Sequence, residues 1–174
     1  SCLLAFYIIE PKGKIEVLLE AVEAAALRGV ECMILADAVG SKNFFGSTWP
    51  KRLAAAGVGV QAALTVGLWC TLFTRTDLRN HRKILILDKK IGYTGSYNLV
   101  DPKWFKQGAG VGEWVDVMMR CTGPLVQEMA AVFYADVAVE NDKNLNEVLG
   151  YLNGFVEQIP TMLPEKMKSG NVVG

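Results

Sequence analysis

Two short, almost wholly apolar runs, LLAFYII from Leu3 and CMILAD from Cys32, flank a stretch of helical periodicity, and that alternation narrows the folds open to the chain. Between them Ile15, Leu18, Leu19 and Val22 recur at helical spacing from Lys14 to Leu27, with Arg28 and Gly29 as a stop. Apolar runs without polar alternation are strands covered on both faces. A second helix is expected around Pro50 to Ala56, then a strand near Val58 to Ala63. Two strands, His81 to about Leu87 and Ile91 to Asn98, form a hairpin around Asp88, Lys89 and Lys90. A strand from Trp114 to Met119 and a helix opening at Pro124, a residue suited to a first helical turn, complete the pattern. Strand and helix in alternation give an α/β sandwich with a mixed, mostly buried sheet flanked by helices. At 174 residues and 51% hydrophobic content, the chain can build one real core. From Asn141 onward the polar NDKNLNEV and the Pro160 to Pro164 stretch read as a tail or linker, so the expected organisation is one domain over 1–142 and a tail over 143–174.

The hairpin carries the chemistry. HRKILILDKKIGYTGSYN places His81, Lys83, Asp88, Gly95, Ser96 and Asn98 as HxK, four residues, D, six residues, GSxN, and His81 is the only histidine. A phosphodiester is an anion that resists attack, so its cleavage needs a nucleophile, cations or donors for the non-bridging oxygens, and an acid for the leaving alkoxide. In a strand, His81 and Lys83 share a face, as do Ser96 and Asn98. Lys83 would hold the phosphate and disfavour a charged imidazole, keeping His81 able to attack. Ser96 and Asn98 would bring a hydroxyl and an amide to the same oxygens. No His/Cys/carboxylate cluster has metal-ligand spacing, so neither a metal-activated water nor a cofactor is expected, and the acid must come from outside this chain. Cys2, Cys32, Cys70 and Cys121 are scattered, which reads as reduced, buried thiols.

These residues resemble the motif of the phospholipase D superfamily, whose members pair two such motifs across one active site. YTGSYNLVDPKWFKQ, GVGEWVDVMMRCTGP, LADAVGS and LRNHRK are similar, more closely, to the first catalytic half of bacterial cardiolipin synthases. Lys103, Trp104, Gly108 and Val137 depart from that pattern and bear on fine substrate preference. The resemblance implies that His81 is the phosphohistidine nucleophile or the general acid, with a partner histidine in the other role, and that Lys83, Ser96 and Asn98 hold phosphate. Asp88 belongs to the motif, yet its place at a strand end fits a turn. Asp116 is the candidate for the carboxylate that orients a histidine, with Glu113 and Asp101 as neighbouring alternatives.

Three readings follow. The first is half of a phosphatidyltransferase that acts on anionic phosphatidylglycerol at a membrane surface and is completed by a second motif in the same chain. The second is a single-motif phosphodiesterase or nuclease that completes its site as a homodimer. The third is a non-catalytic scaffold, disfavoured by the intact motif. The 18 basic and 18 acidic residues cancel, which gives no global field for tracking nucleic acid, so none is expected as partner. Between Arg75 and Lys90 six basic residues stand against two acids; Lys89 and Lys90 read as a solvated turn, and the rest as a compact patch for one headgroup. The chain opens directly in a strand-like run without methionine or leader and reads as a soluble piece of a larger protein. The resemblance places that protein at the bacterial inner membrane, its catalytic part on the cytoplasmic side. Leu53 to Thr74 lacks charge, but its glycines and polar residues fit a strand and loop better than a span. Within it, GLWCTLF is a candidate membrane-dipping loop, with Trp69 at the interface and Arg75 and Arg79 toward headgroups.

Overall fold

The computed structural model describes residues 1–64, 79–104, 108 and 115–141. The apolar runs become the centre of one six-stranded sheet. β1 (Cys2–Phe6) is followed by α1 (Lys14–Leu27), β2 (Cys32–Asp37), α2 (Lys42–Phe45), α3 (Trp49–Ala55) and β3 (Gly59–Ala63). β4 (Lys83–Leu87), β5 (Ile91–Gly95), β6 (Met118–Thr122) and α4 (Pro124–Glu140) complete the order. The strands lie as β3-β2-β1-β4-β5-β6. β1, β2 and β3 are parallel, whereas β4 runs antiparallel to β1, and β5 and β6 continue antiparallel.

Helices cover both faces, which is why β1 shows no alternation of burial. Leu4, Phe6, Ile34 and Ala36 pack with Leu19, Phe44 and Leu53 under α1, α2 and α3. Leu3, Ala5, Leu35, Ile84 and Ile86 pack with Val126, Met129 and Phe133 of α4. Removing a fully buried ring such as Phe133 from a core of this kind costs about 3–5 kcal/mol.

The α1 boundaries match the periodic stretch, and α4 opens at Pro124 as expected. The short α2 carries no expectation in the sequence, and its four residues offer no periodicity to detect. The uncharged Leu53 to Thr74 stretch breaks within its described part into the end of α3, a turn and β3. Among the described residues no helix is long and apolar enough to cross a membrane. Trp69, Phe73 and Arg75 of the proposed loop, Cys70, and the tail over 143–174 lie outside the described residues.

Three strands differ from expectation at the same edge of the sheet, and β6 also runs further at its other end, to Thr122 opposite Ile91. β4 starts at Lys83 rather than His81, because β1 ends at Phe6, the register partner of Lys83. β5 ends at Gly95 rather than Asn98, after which Leu99 returns to bridge Ile9 in parallel. β6 spans Met118–Thr122 rather than Trp114 to Met119, in register from Gly95 opposite Met118. His81 and Lys83 therefore do not share a strand face, nor do Ser96 and Asn98. Loop contacts place those side chains instead.

Candidate active site

The C-terminal ends of the parallel strands, the start of β4, the end of β5 and the approach to β6 share one edge. Polar residues gather there because the ladder stops and side chains must satisfy the departing backbone. Ser41, fully buried, donates its hydroxyl to Tyr7 O (3.1 Å) and accepts from Ile9 N (3.0 Å). Asn98 Oδ1 accepts from Ile8 N (3.1 Å). The loop leaving β1 is thus pinned from two sides. Gly40 is needed beside it, since a Cβ there would stand 2.3 Å from Tyr7 O.

His81 is exposed on this edge, its ring stacked on Tyr7 with centroids 4.2 Å apart and planes tilted by 35°. Among the described residues no hydrogen bond engages its ring nitrogens, so the imidazole is open to a substrate. Lys83 Nζ donates to His81 O (2.7 Å) and lies 5.5 Å from the Tyr7 ring centroid. Burial lowers the Lys83 ammonium from its usual range, and the charge of Asp116 partly restores it. Ser96 Oγ donates to Asp116 Oδ1 (2.6 Å) and accepts from Val117 N (3.1 Å). This tight crossing needs Gly95: a Cβ there would meet Val117 O at 2.1 Å.

The structure thus gathers His81, Lys83, Ser96 and Asp116. Asp116 meets the Ser96 hydroxyl and acts electrostatically on Lys83; among the described residues no bond joins it to His81. Asn98 is buried, its oxygen committed to the backbone. Asp88 is not part of the cluster. It sits in the turn at φ 51°, at the far end of β4, about 16 Å from Lys83 along the strand, and its exposed carboxylate meets the amino group of Ser1. Asp101 is also elsewhere, accepting from Lys14 N (3.1 Å) at the start of α1 and from Lys103 N (3.1 Å), bonds that hold its carboxyl below the usual range. Glu113 lies outside the described residues.

Two further residues belong to this edge. Tyr7, the aromatic closing LLAFY, carries no motif signal, and only the fold puts its ring on His81. Asp37, at the end of β2, accepts from Val39 N (3.0 Å) and Gly40 N (2.7 Å) through Oδ1. Its Oδ2 is buried without a hydrogen bond and faces Arg79 Nη1 at 3.8 Å. Arg79 is therefore turned inward, its side chain 11% exposed, and does not face headgroups as the sequence reading has it. Cys2 and Cys32 are buried and form no disulfide, and burial pushes the Cys2 thiol up to about 11.

Residues 1–136 match the family model described as "Cardiolipin synthase, PLD-like domain". Cardiolipin synthase A of Erwinia tasmaniensis is 46% identical over 142 residues, covering 82% of this chain and 29% of that protein. Cardiolipin synthase A of Yersinia pseudotuberculosis is 44% identical over the same length and shares. The chain spans under a third of the length of these relatives. Among solved structures, NucT from Helicobacter pylori superposes with a TM-score of 0.55 at 17% identity, covering 79% of this chain and 78% of that one. The phospholipase D family member Nuc from Salmonella typhimurium gives 0.51 at 16%, covering 78% and 74%. The sheet and its helical layers are thus those of the phospholipase D fold, and with 136 residues under one family model the chain belongs to the phospholipase-D-like domain family of the cardiolipin synthases.

Proposed function

We propose that this chain is the first catalytic half of a cardiolipin-synthase-type phosphatidyltransferase working at the cytoplasmic face of a bacterial inner membrane. The observation that carries the reading is the convergence of His81, Lys83, Ser96 and Asp116 at one sheet edge, within a domain of this family.

An unengaged imidazole nitrogen of His81 attacks the phosphorus of phosphatidylglycerol. A nitrogen–phosphorus bond forms as the bond to the glycerol headgroup oxygen breaks, and that oxygen takes a proton from an acid supplied by a second motif. The hydroxyl of a second phosphatidylglycerol then attacks the phosphohistidine, returns its proton to that acid and releases His81. Lys83 neutralises charge on the non-bridging oxygens, and its contact with His81 O places cation and nucleophile on one phosphate. Asp116 favours the charged form of Lys83 and holds Ser96 until phosphate competes for its hydroxyl. In the mirrored assignment His81 protonates and the partner histidine attacks, with the same residues around phosphate.

The test is His81→Ala in the full-length protein, assayed on phosphatidylglycerol vesicles. Turnover should fall by at least about a thousandfold, as for other losses of a nucleophile or general acid. Near-normal turnover would falsify the assignment. Turnover of other phosphodiesters by a dimer of this chain alone would bring the homodimeric phosphodiesterase forward.

A further inference from the structure

We infer that Asp136, on α4, is a positioning residue that sets the placement of His81 by gripping the residues on either side of it. This rests on the reading of His81 as the reacting group.

The grip is a closed ring of contacts. Asp136 Oδ2 accepts from Asn80 Nδ2 (3.1 Å), and the same oxygen pairs with Arg82 Nη1 (3.1 Å). Asn80 Oδ1 in turn accepts from Arg82 N (3.1 Å), bridging over His81. One carboxylate oxygen therefore holds the side chains of residues 80 and 82, while Asn80 folds the backbone between them into an Asx-type turn. A third restraint is the Lys83 ammonium on His81 O.

The segment needs such a device because it lies outside the ladder. β4 begins only at Lys83, so no strand pairing fixes His81, and among the described residues no hydrogen bond holds its ring. Stacking on Tyr7 limits the ring's tilt but leaves the backbone free to slide. Asp136 is well suited to anchor it. Its neighbours Phe133 and Val137 are buried against the sheet, so the carboxylate is carried on a fixed helix face. Its side chain is 18% exposed. Burial raises the carboxyl above its usual range, and the Arg82 guanidinium and Asn80 amide oppose that shift in part.

A clamp on the flanks leaves the imidazole free, which suits a nucleophile that must reach phosphorus in a narrow geometry. Displacements of about 1 Å at such a group can cost on the order of a hundredfold in rate. Asp116, the acid expected to orient a histidine, is occupied with Ser96, so positioning falls to the acid on α4.

His81 is the only histidine of the 174-residue chain, so its ring protons give unambiguous NMR signals, and stacking on Tyr7 imposes a ring-current displacement. Tyr7→Leu calibrates the unstacked position. In Asp136→Ala the His81 signals should move from the wild-type position toward the calibrated one or broaden. Asp136→Asn, which keeps an acceptor for Asn80, should move them less. If Asp136→Ala does not fold, the double variant Asn80→Ala/Arg82→Gln leaves α4 untouched and should give the same movement. In the full-length enzyme these variants should lower kcat by on the order of ten- to a hundredfold with little change in KM. His81 signals unmoved in whichever of these variants fold would overturn the clamp, whatever the fate of the catalytic reading. Moved signals together with an active His81→Ala enzyme would leave the clamp standing and remove the reading on which its catalytic purpose rests.

Discussion

The two ends of the β4–β5 hairpin are both rich in charge, and they employ it in opposite ways. At the Lys83 end each charged side chain has a defined protein partner: Lys83 has His81 O and Tyr7, Arg82 has Asp136, and Arg79 faces Asp37. At the turn Asp88, Lys89 and Lys90 are all exposed; among the described residues Asp88 meets only the amino group of Ser1, and Lys89 lies over the Tyr134 ring at 5.2 Å. The ends differ in what the backbone does next. At the turn the chain closes on itself in two left-handed residues, Asp88 and Lys89, with Asp88 N donating to Ser1 O (2.8 Å) and Lys89 O accepting from Gln127 Nε2 (2.7 Å). At the other end several chain segments enter or leave the sheet together, and their polar groups are satisfied by side chains from distant parts of the sequence. A site is built where the ladder stops without a turn.

That contrast can be broken by experiment. The largest effect is expected for Lys83→Met in the full-length protein, which should lose about 100- to 1000-fold in turnover, the usual consequence of removing one charge-stabilising donor. Comparable loss from Lys89→Met would erase the distinction. Next comes Gly95→Ala. Its methyl group has no room against Val117 O, and urea unfolding should report a destabilisation of roughly 1–3 kcal/mol.

A smaller effect concerns pH. Burial lowers the Lys83 ammonium and Asp116 opposes that shift. Removing the negative charge in Asp116→Asn favours neutral Lys83, so activity dependent on the cation should be lost at lower pH than in the parent. The pH profile of kcat/KM measures this, and an alkaline limb that stays in place or moves upward contradicts it. The smallest effect is expected at the turn, where Asp88→Asn should leave turnover at neutral pH unchanged although the position belongs to the motif. A large loss there would tie the two ends of the hairpin together and undo the comparison.

The reading of the sequence succeeds where a residue's role depends on its near neighbours. LLAFYII, CMILAD and the Lys14–Leu27 periodicity each bury a surface, and burial shows in local composition. The strand ends at the site were misplaced because alternation says nothing about where a partner strand stops: β4 is cut at Lys83 by the length of β1. Tyr7 and Asp136 went unnoticed for a related reason. Tyr7 reads as the aromatic end of a core strand, and Asp136 as one acid in an apolar helix, the available signal being that it sits on the same helical face as Phe133.

The amino-acid sequence by itself determined the alternating α/β architecture, the hairpin and the presence of one HxK and GSxN motif, because hydrophobic period and turn chemistry act over a few residues. Tertiary structure alone decided that Lys83, Ser96 and Asp116 meet, that Asn98 spends its oxygen on the backbone of Ile8, and that Arg79 turns inward to Asp37. Those outcomes join residues 20 to 90 positions apart, and which distant groups satisfy an unpaired backbone or a buried charge is settled only when the sheet edges come together.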